Sequence, residues 1–265
     1  RGVVRWLIAQ RDLASDARTA LLGGALGGTI NERYVFTALD HAEEALAAVE
    51  RDLAAAEDEG FVYLSACPSC WRIDADGDGE IDRSDAELLE VEVDATGEPL
   101  PEGDARRRPT FRFDRGDVAW ARAMVAYQRA LLASLRAYHW GDVSGALRPS
   151  SEVLRVVVRL ADVAHVHHAR DLITAGLSHA RRARLEYLAE TDDEHEWVPS
   201  PSQRSHAVPL PVDEALYTTW LEVLDDTQRL VEGEEGLDLS ALAALADPDL
   251  ATRIHGYLDV REMLE

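Results

Sequence analysis

The chain has 265 residues, 46% of them apolar, which supplies a substantial core for one large domain or two small ones and excludes disorder of the whole chain. Its 50 acidic residues face 27 basic ones, all arginine, for a formal net charge of -23. Such a surface repels nucleic acid and anionic lipid and attracts cations. No apolar run approaches the ~18 residues needed to cross a bilayer, so the chain is not expected to be membrane-spanning.

The opening residues, RGVVRWLIAQRD, are too short in apolar length for an export signal, and the expectation is a mature form whose signal has been removed. The same stretch begins a helix that dissolves in Gly23, Gly24, Gly27 and Gly28. From Asn31 to Gly60, the positions Val35, Leu39, Ala42, Leu46, Val49, Leu53 and Ala56 recur in steps of three and four and mark an amphipathic helix. Short strands are expected at Phe61 to Leu64 and Phe111 to Phe113, where aromatic and β-branched residues meet outside helical periodicity.

A second strong helix follows FRFD, with Asp114 and Asp117 near its positive amino end, and closes at Gly141. Trp120, Met124, Tyr127, Leu131, Leu135 and Tyr138 share one face of it. The longest helical pattern runs from Ser151 to about Glu190, with a break expected near Gly176. Residues 191–211 carry four prolines and read as a loop of about twenty residues, a length that points to function or mobility. A last strong helix spans Asp213 to Gly233, ahead of short tail helices broken by Pro248. No repeat appears at the period of about 34 residues that a tetratricopeptide array needs.

These elements predict an all-α fold. The expectation is one domain over residues 1–265, an antiparallel bundle of five to seven helices with an irregular insertion at 60–114 and at most one short two-stranded β element.

The insertion contains CPSCWRIDADGDGEIDRSDAELLE. In its run from Asp74 to Asp85, acids fall at positions one, three, five, seven, nine and twelve, and glycine stands sixth. This resembles the calcium loop of the EF-hand family and, because Asp closes it and AELL follows, the single loop-helix of dockerin-type modules. The resemblance covers about twenty residues. It implies Asp74, Asp76 and Asp78 as side-chain ligands, Glu80 as a carbonyl ligand, Asp82 as a ligand directly or through water, and Asp85 as the closing carboxylate. It also implies that Ile81 turns inward. The cofactor implied is Ca2+, in a structural role, because the incoming side is strand-like and not the helix a sensor needs.

Cys67 and Cys70 are the only cysteines. Their spacing suits a disulfide, with free thiols, half of a zinc site and a redox pair as alternatives. Haem attachment is excluded because Trp71 stands where His is needed. Further along, His165, His168 and His179 share a helical face, a pattern that suits either partly buried structural histidines or a second metal site or pocket. His167 lies beside that face, and His195 and His206 flank the proline-rich loop. The aromatics Trp120, Tyr127, Tyr138, Trp140, Tyr217 and Trp220 read as core, with a ligand groove as the alternative. No nucleophile elbow, phosphate loop or HExxH signature is present.

The reading that follows is a bacterial, extracytoplasmic calcium-binding helical protein without catalytic chemistry, partnered by a calcium ion and by another protein or a small ligand. Two rivals stand beside it: a metal-dependent enzyme working from the histidine face, and a calcium-gated interaction module.

Overall fold

The computed structural model describes residues 5, 6, 8, 9, 11, 12, 32–60, 62–94, 96–139, 159–206, 212–238, 257 and 258. Among these the chain is mainly helical. Helix α1 spans Glu32–Asp58 and buries Leu39, Ala42, Leu46, Val49 and Leu53, five of the seven positions that the periodicity picks out. The described residues of the first twelve are helical. Trp6 and Ala9 join the α1 core, and Arg5 pairs with Asp52 at 2.8 Å. The predicted glycine break at 23–28 falls outside the described residues.

Strand β1, Tyr63–Ala66, pairs antiparallel with β2, Phe111–Asp114, in the register Tyr63 to Asp114 and Ala66 to Phe111. This ladder brings the two ends of the insertion together, so the intervening chain leaves and re-enters the helical body at one place. Closing so long a loop is entropically costly. The insertion offsets part of that cost with its own regular pieces, the 3-10 turn Pro68–Cys70, the short helix α2 at Arg83–Glu87, a bridge between Val93 and Pro99, and a second 3-10 turn at Ala105–Arg107.

Asp114 ends β2 and caps helix α3, Arg115–Arg136. Its Oδ1 accepts the amide of Gly116 at 2.7 Å, while Asp117 returns a carboxylate oxygen to the Asp114 amide at 2.9 Å. This reciprocal pair satisfies donors that a helix start otherwise leaves open. Helix α3 is buried on two sides. Val118, Val125 and Leu132 pack on α1. The opposite side presents Ala119, Ala123, Ala130 and Ala133 to helix α4, Val163–Ala189, which answers with Ala169, Leu172, Leu177, Ala180, Ala183 and Tyr187. Small side chains let the two backbones approach closely, so this seam is carried by alanine as well as by large apolar residues. Leu131, placed by periodicity on the apolar face, is 59% exposed.

The pairings fix helix direction. Arg122 bonds Glu50 and Glu57, Arg129 bonds Glu43, and Arg136 bonds Asp40, so α1 and α3 run antiparallel. Helix α5, Glu214–Glu232, is capped by Asp213 and ends at Gly233, as its sequence predicts. It lies antiparallel to α4, with Arg181 on Asp225 and Arg184 on the carbonyl of Tyr217.

Three expectations are corrected. Helix α3 stops at Arg136 instead of Gly141, because Tyr138–His139 forms strand β3 with β4 at Arg159–Leu160, and the Ala161 amide bonds the Ala137 carbonyl at 2.8 Å. Of the helix expected from Ser151, residues 151–158 lie outside the described residues, Arg159–Leu160 are strand, and the described helix begins at Val163, with Asp162 as its cap. A third ladder joins β5, Leu237–Asp238, to β6, Tyr257–Leu258, so the described residues hold three small β elements and not one at most.

Gly176 does not break α4. A Cβ there would sit 2.5 Å from Cε1 of Tyr127, so the glycine admits the ring from α3. Gly176→Ala is expected to destabilise the chain by about 1–3 kcal/mol through overpacking, against a helix-propensity gain of about 0.5–1 kcal/mol. Thermal unfolding followed by circular dichroism checks this.

Candidate metal centre

The sequence builds the loop out of local hydrogen bonds. The amide of Gly77 donates to Asp74 Oδ1 at 2.7 Å, that of Asp78 to Asp76 Oδ1 at 3.1 Å, and that of Glu80 to Asp78 Oδ1 at 2.8 Å. Each aspartate thus turns the backbone just after itself, the habit that places this residue in tight turns. Gly77 and Gly79 take φ of 79° and 91°, where a side chain is strained. The result brings carboxylate oxygens of Asp74, Asp76 and Asp78 within 4.8 Å of one another. Asp76 and Asp78 are exposed, and Asp74 is half-buried.

The far end of the loop is organised by α2. Asp82 caps it by accepting the Ser84 amide at 2.7 Å, and Ser84 Oγ donates to Asp76 Oδ2 at 2.9 Å. Asp85 turns back from the first turn of α2 into the loop. Its Oδ2 accepts the Asp82 amide at 2.8 Å, and its Oδ1 accepts the Ala75 amide at 2.6 Å. Only 2% of Asp85 is exposed. The amide of Asp82, with those of Ala75 and Asp76, holds its carboxyl below the usual carboxylate range.

Of the six ligands implied by the resemblance, three side chains therefore converge. Asp82 and Asp85 serve the backbone at the loop's closing end, and Glu80 places its amide on Asp78. The donor set is all oxygen and anionic, which suits a hard divalent cation such as calcium or magnesium. Arg11 also reaches the loop, its guanidinium 2.9 Å from the Asp74 carbonyl and 3.4 Å from Asp74 Oδ2. Ile81 is 51% exposed, against the expectation that it turns inward. The incoming side is β1 and a 3-10 turn, so the helix pair that receives such a residue does not form here.

The Cys67 and Cys70 sulfurs are at bonding distance, 1.95 Å, across the turn that α2 packs against. The histidine face does not converge. His165 and His168 lie more than ten residues before His179 on one straight helix, about 16 Å or more along its axis. His168 is instead 3.9 Å from Glu43, and burial followed by the nearby Arg122 lowers the His179 pKa. A groove of about 310 Å³ between α3, α4 and α5 is lined by Trp120, Met124, Tyr127, Trp220 and Val223. Tyr217 is buried and donates its hydroxyl to the Pro199 carbonyl, as core. Trp140 lies outside the described residues.

Residues 191–206, read as a loop, are held to the β1–β2 sheet. The Arg112 amide bonds the His195 carbonyl at 2.9 Å, and Trp197 packs edge-on against Phe111 with centroids 4.7 Å apart. This docking creates a carboxyl cluster that no motif announces. Asp114, Glu190 and Glu196 bring carboxylate oxygens within 4.8 Å of one another, and Glu196 is 2% exposed. Beside them Asp117, 7% exposed, accepts the Tyr187 hydroxyl at 2.9 Å. Burial, with Asp114 adjacent, pushes Asp117 up to about 8 and raises Glu190 far above its ordinary value. Glu196 is raised by burial as well.

No protein-family model matches the chain, and the comparisons with curated proteins and with solved structures found no match. Among the described residues, no helix is long and apolar enough to cross a membrane.

Proposed function

We propose that residues 74–85 bind one calcium ion and that this ion fastens the 60–114 insertion to the helical body of an extracytoplasmic protein. The observation that carries the reading is the triple turn of Asp74, Asp76 and Asp78, in which three carboxylates approach within 4.8 Å on a backbone shaped by Gly77 and Gly79. Like charges so close repel, and a hard cation removes that repulsion. A structural role is supported by the entry side, a strand and a 3-10 turn with no helix to swing. The loop is also pinned at both ends, by Arg11 on Asp74 and by the Asp82–Asp85 capping pair.

An extracytoplasmic location is supported by the cysteine pair at bonding distance, a linkage that persists in oxidising compartments, and by the millimolar calcium of such spaces, which fills weak sites.

Calorimetric titration of metal-stripped protein tests the reading. One calcium per chain is expected, with magnesium binding more weakly, and calcium at 100 times its Kd is expected to raise Tm by about 5–10 °C. No heat with millimolar calcium, together with a Tm indifferent to chelator, would refute it. Helical circular dichroism unchanged by chelator below the Tm separates this structural ion from a gating one.

A further inference from the structure

Glu190 follows directly on α4, Asp114 joins β2 to α3, and Glu196 sits at the centre of the segment docked over both. The Oε1 of Glu190 is fully buried and meets no donor. A carboxylate oxygen of Glu190 lies within 4.8 Å of one of Asp114. Two carboxylate oxygens are both acceptors, and a buried acceptor facing another costs desolvation without compensation unless a proton stands between them.

We propose that a proton held between Glu190 and Asp114 latches the 190–206 segment over the amino end of α3, and that loss of this proton in alkaline solution releases the segment. The inference is independent of the calcium reading, since the latch shares no residue with the 74–85 loop.

The surroundings say which partner carries the proton. Asp114 Oδ1 already accepts the amides of Gly116 and Asp117 at the positive end of α3, an arrangement that favours its anion. Glu190 has no such support. Its Oε2 takes one amide hydrogen of Gln203 at 3.0 Å, so its other oxygen is free to act as the acid and donate to Asp114. Gln203 is itself 2% exposed and fully used. It donates to the Asp192 carbonyl at 3.0 Å and accepts the Ser200 amide at 2.6 Å. The fold of residues 192–203 is thereby tied to the state of Glu190.

The titratable groups around the pair come from every element packed against it. Asp114 stands on β2, Asp117 on α3 and Tyr187 on α4. Tyr217 stands on α5 and is itself raised by burial and by Glu190, and the segment contributes Asp192 and Glu196. Of the arginines nearby, Arg112 bonds Asp192 and Glu194, and Arg184 bonds the Tyr217 carbonyl and lies over its ring. Ionising Glu190 therefore adds a negative charge to a cluster already negative, and burial with the nearby Asp114 pushes its pKa far above neutrality.

Trp197 reports the latch, because it is packed between Phe111 and Phe113 only while the segment is docked. Its emission is isolated as the difference between the full chain and its Trp197→Phe variant, and is followed with and without calcium. A red shift with a midpoint between about pH 7 and 10 is expected at both calcium levels. Glu190→Gln, whose amide donates to Asp114 as the acid does, is expected to show no transition. Emission constant over this range, or a Glu190→Gln variant that titrates like the parent, overturns the proposal. Should that variant not fold, the infrared spectrum of the unmodified protein in heavy water decides. A protonated-carboxyl band at neutral pH that persists in Asp117→Asn and disappears in the same alkaline window supports the latch. Its absence, or a second divalent ion per chain in place of the proton, overturns it.

Discussion

Asp85→Ala is expected to abolish calcium binding and to loosen the loop even when no calcium is present, whereas Asp78→Ala is expected to remove the calcium response alone. The difference follows from what each carboxylate touches. Asp85 is buried at the closing end of the loop, where one oxygen collects the Ala75 and Asp76 amides and the other collects the Asp82 amide. Removing it leaves three donors unanswered, breaks the capping box of α2 and takes away the group that draws the first turn of the loop toward the last. Asp78 is exposed and shapes only the turn at Glu80. Loss of a group that merely supports a metal ligand weakens affinity by about 10–100-fold, and loss of Asp85 is expected to exceed that range. Titration calorimetry measures the affinities. Hydrogen exchange at the Ala75 and Asp82 amides in chelator measures the second effect, with protection lost in Asp85→Ala and kept in Asp78→Ala. Equal protection in both variants would show that Asp85 does not organise the loop.

The loop is legible in sequence because its determinants are local. Asp74, Asp76 and Asp78 each bond a backbone group two or three residues on, so composition and offset specify the turn without help from the rest of the chain. The long helices are legible for a related reason, and the α1 stripe from Leu39 to Leu53 is buried where periodicity places it. Helix α3 is harder. Its seam with α4 is built from Ala119, Ala123, Ala130 and Ala133, and alanine is too common on every helix face to mark one. A large residue such as Leu131 draws attention and proves exposed. At Gly176 the usual signal for a break is instead the space for a tyrosine ring from the neighbouring helix, which depends on a residue 49 positions away.

The carboxyl cluster has no local signature at all. Asp114 reads as an ordinary helix cap, Glu190 as a helix end and Glu196 as one acid in a polar loop. They meet because Arg112 and Trp197 dock residues 191–206 onto the β1–β2 ladder. In the same way, the histidine spacing on α4 suggests convergence only until length along the helix is counted, after which His179 stands apart from His165 and His168.

With calcium chelated, the chain is expected to grow less stable as pH rises from about 5 to about 8, and Asp117→Asn is expected to flatten that slope and to be the more stable form at pH 8. Carboxyls that are paired with cations have depressed values and stabilise a protein as pH rises. Asp117 has the opposite sign. Its value is about 8 in the folded chain and ordinary, 3.8, in the unfolded one, because burial and the neighbouring Asp114 disfavour its anion. Between those values the folded chain keeps a proton that the unfolded chain has already released. Each pH unit in that interval therefore shifts the balance toward unfolding by up to about 1.4 kcal/mol for such a group, and the loss ceases once the folded form also ionises. Glu190 and Glu196 act with the same sign, and so does the mutual repulsion of a chain with net charge -23. The variant separates the local contribution from the general one. Asparagine accepts the Asp114 amide through its carbonyl and offers its amide to the Tyr187 hydroxyl, reproducing the neutral acid at every pH, while the surface charge changes by one unit at most. Urea titrations at a series of pH values measure the slope. Equal slopes in the parent and in Asp117→Asn would show that Asp117 ionises normally in the folded chain and that the Tyr187 hydroxyl bond is enough to hold its anion in the core.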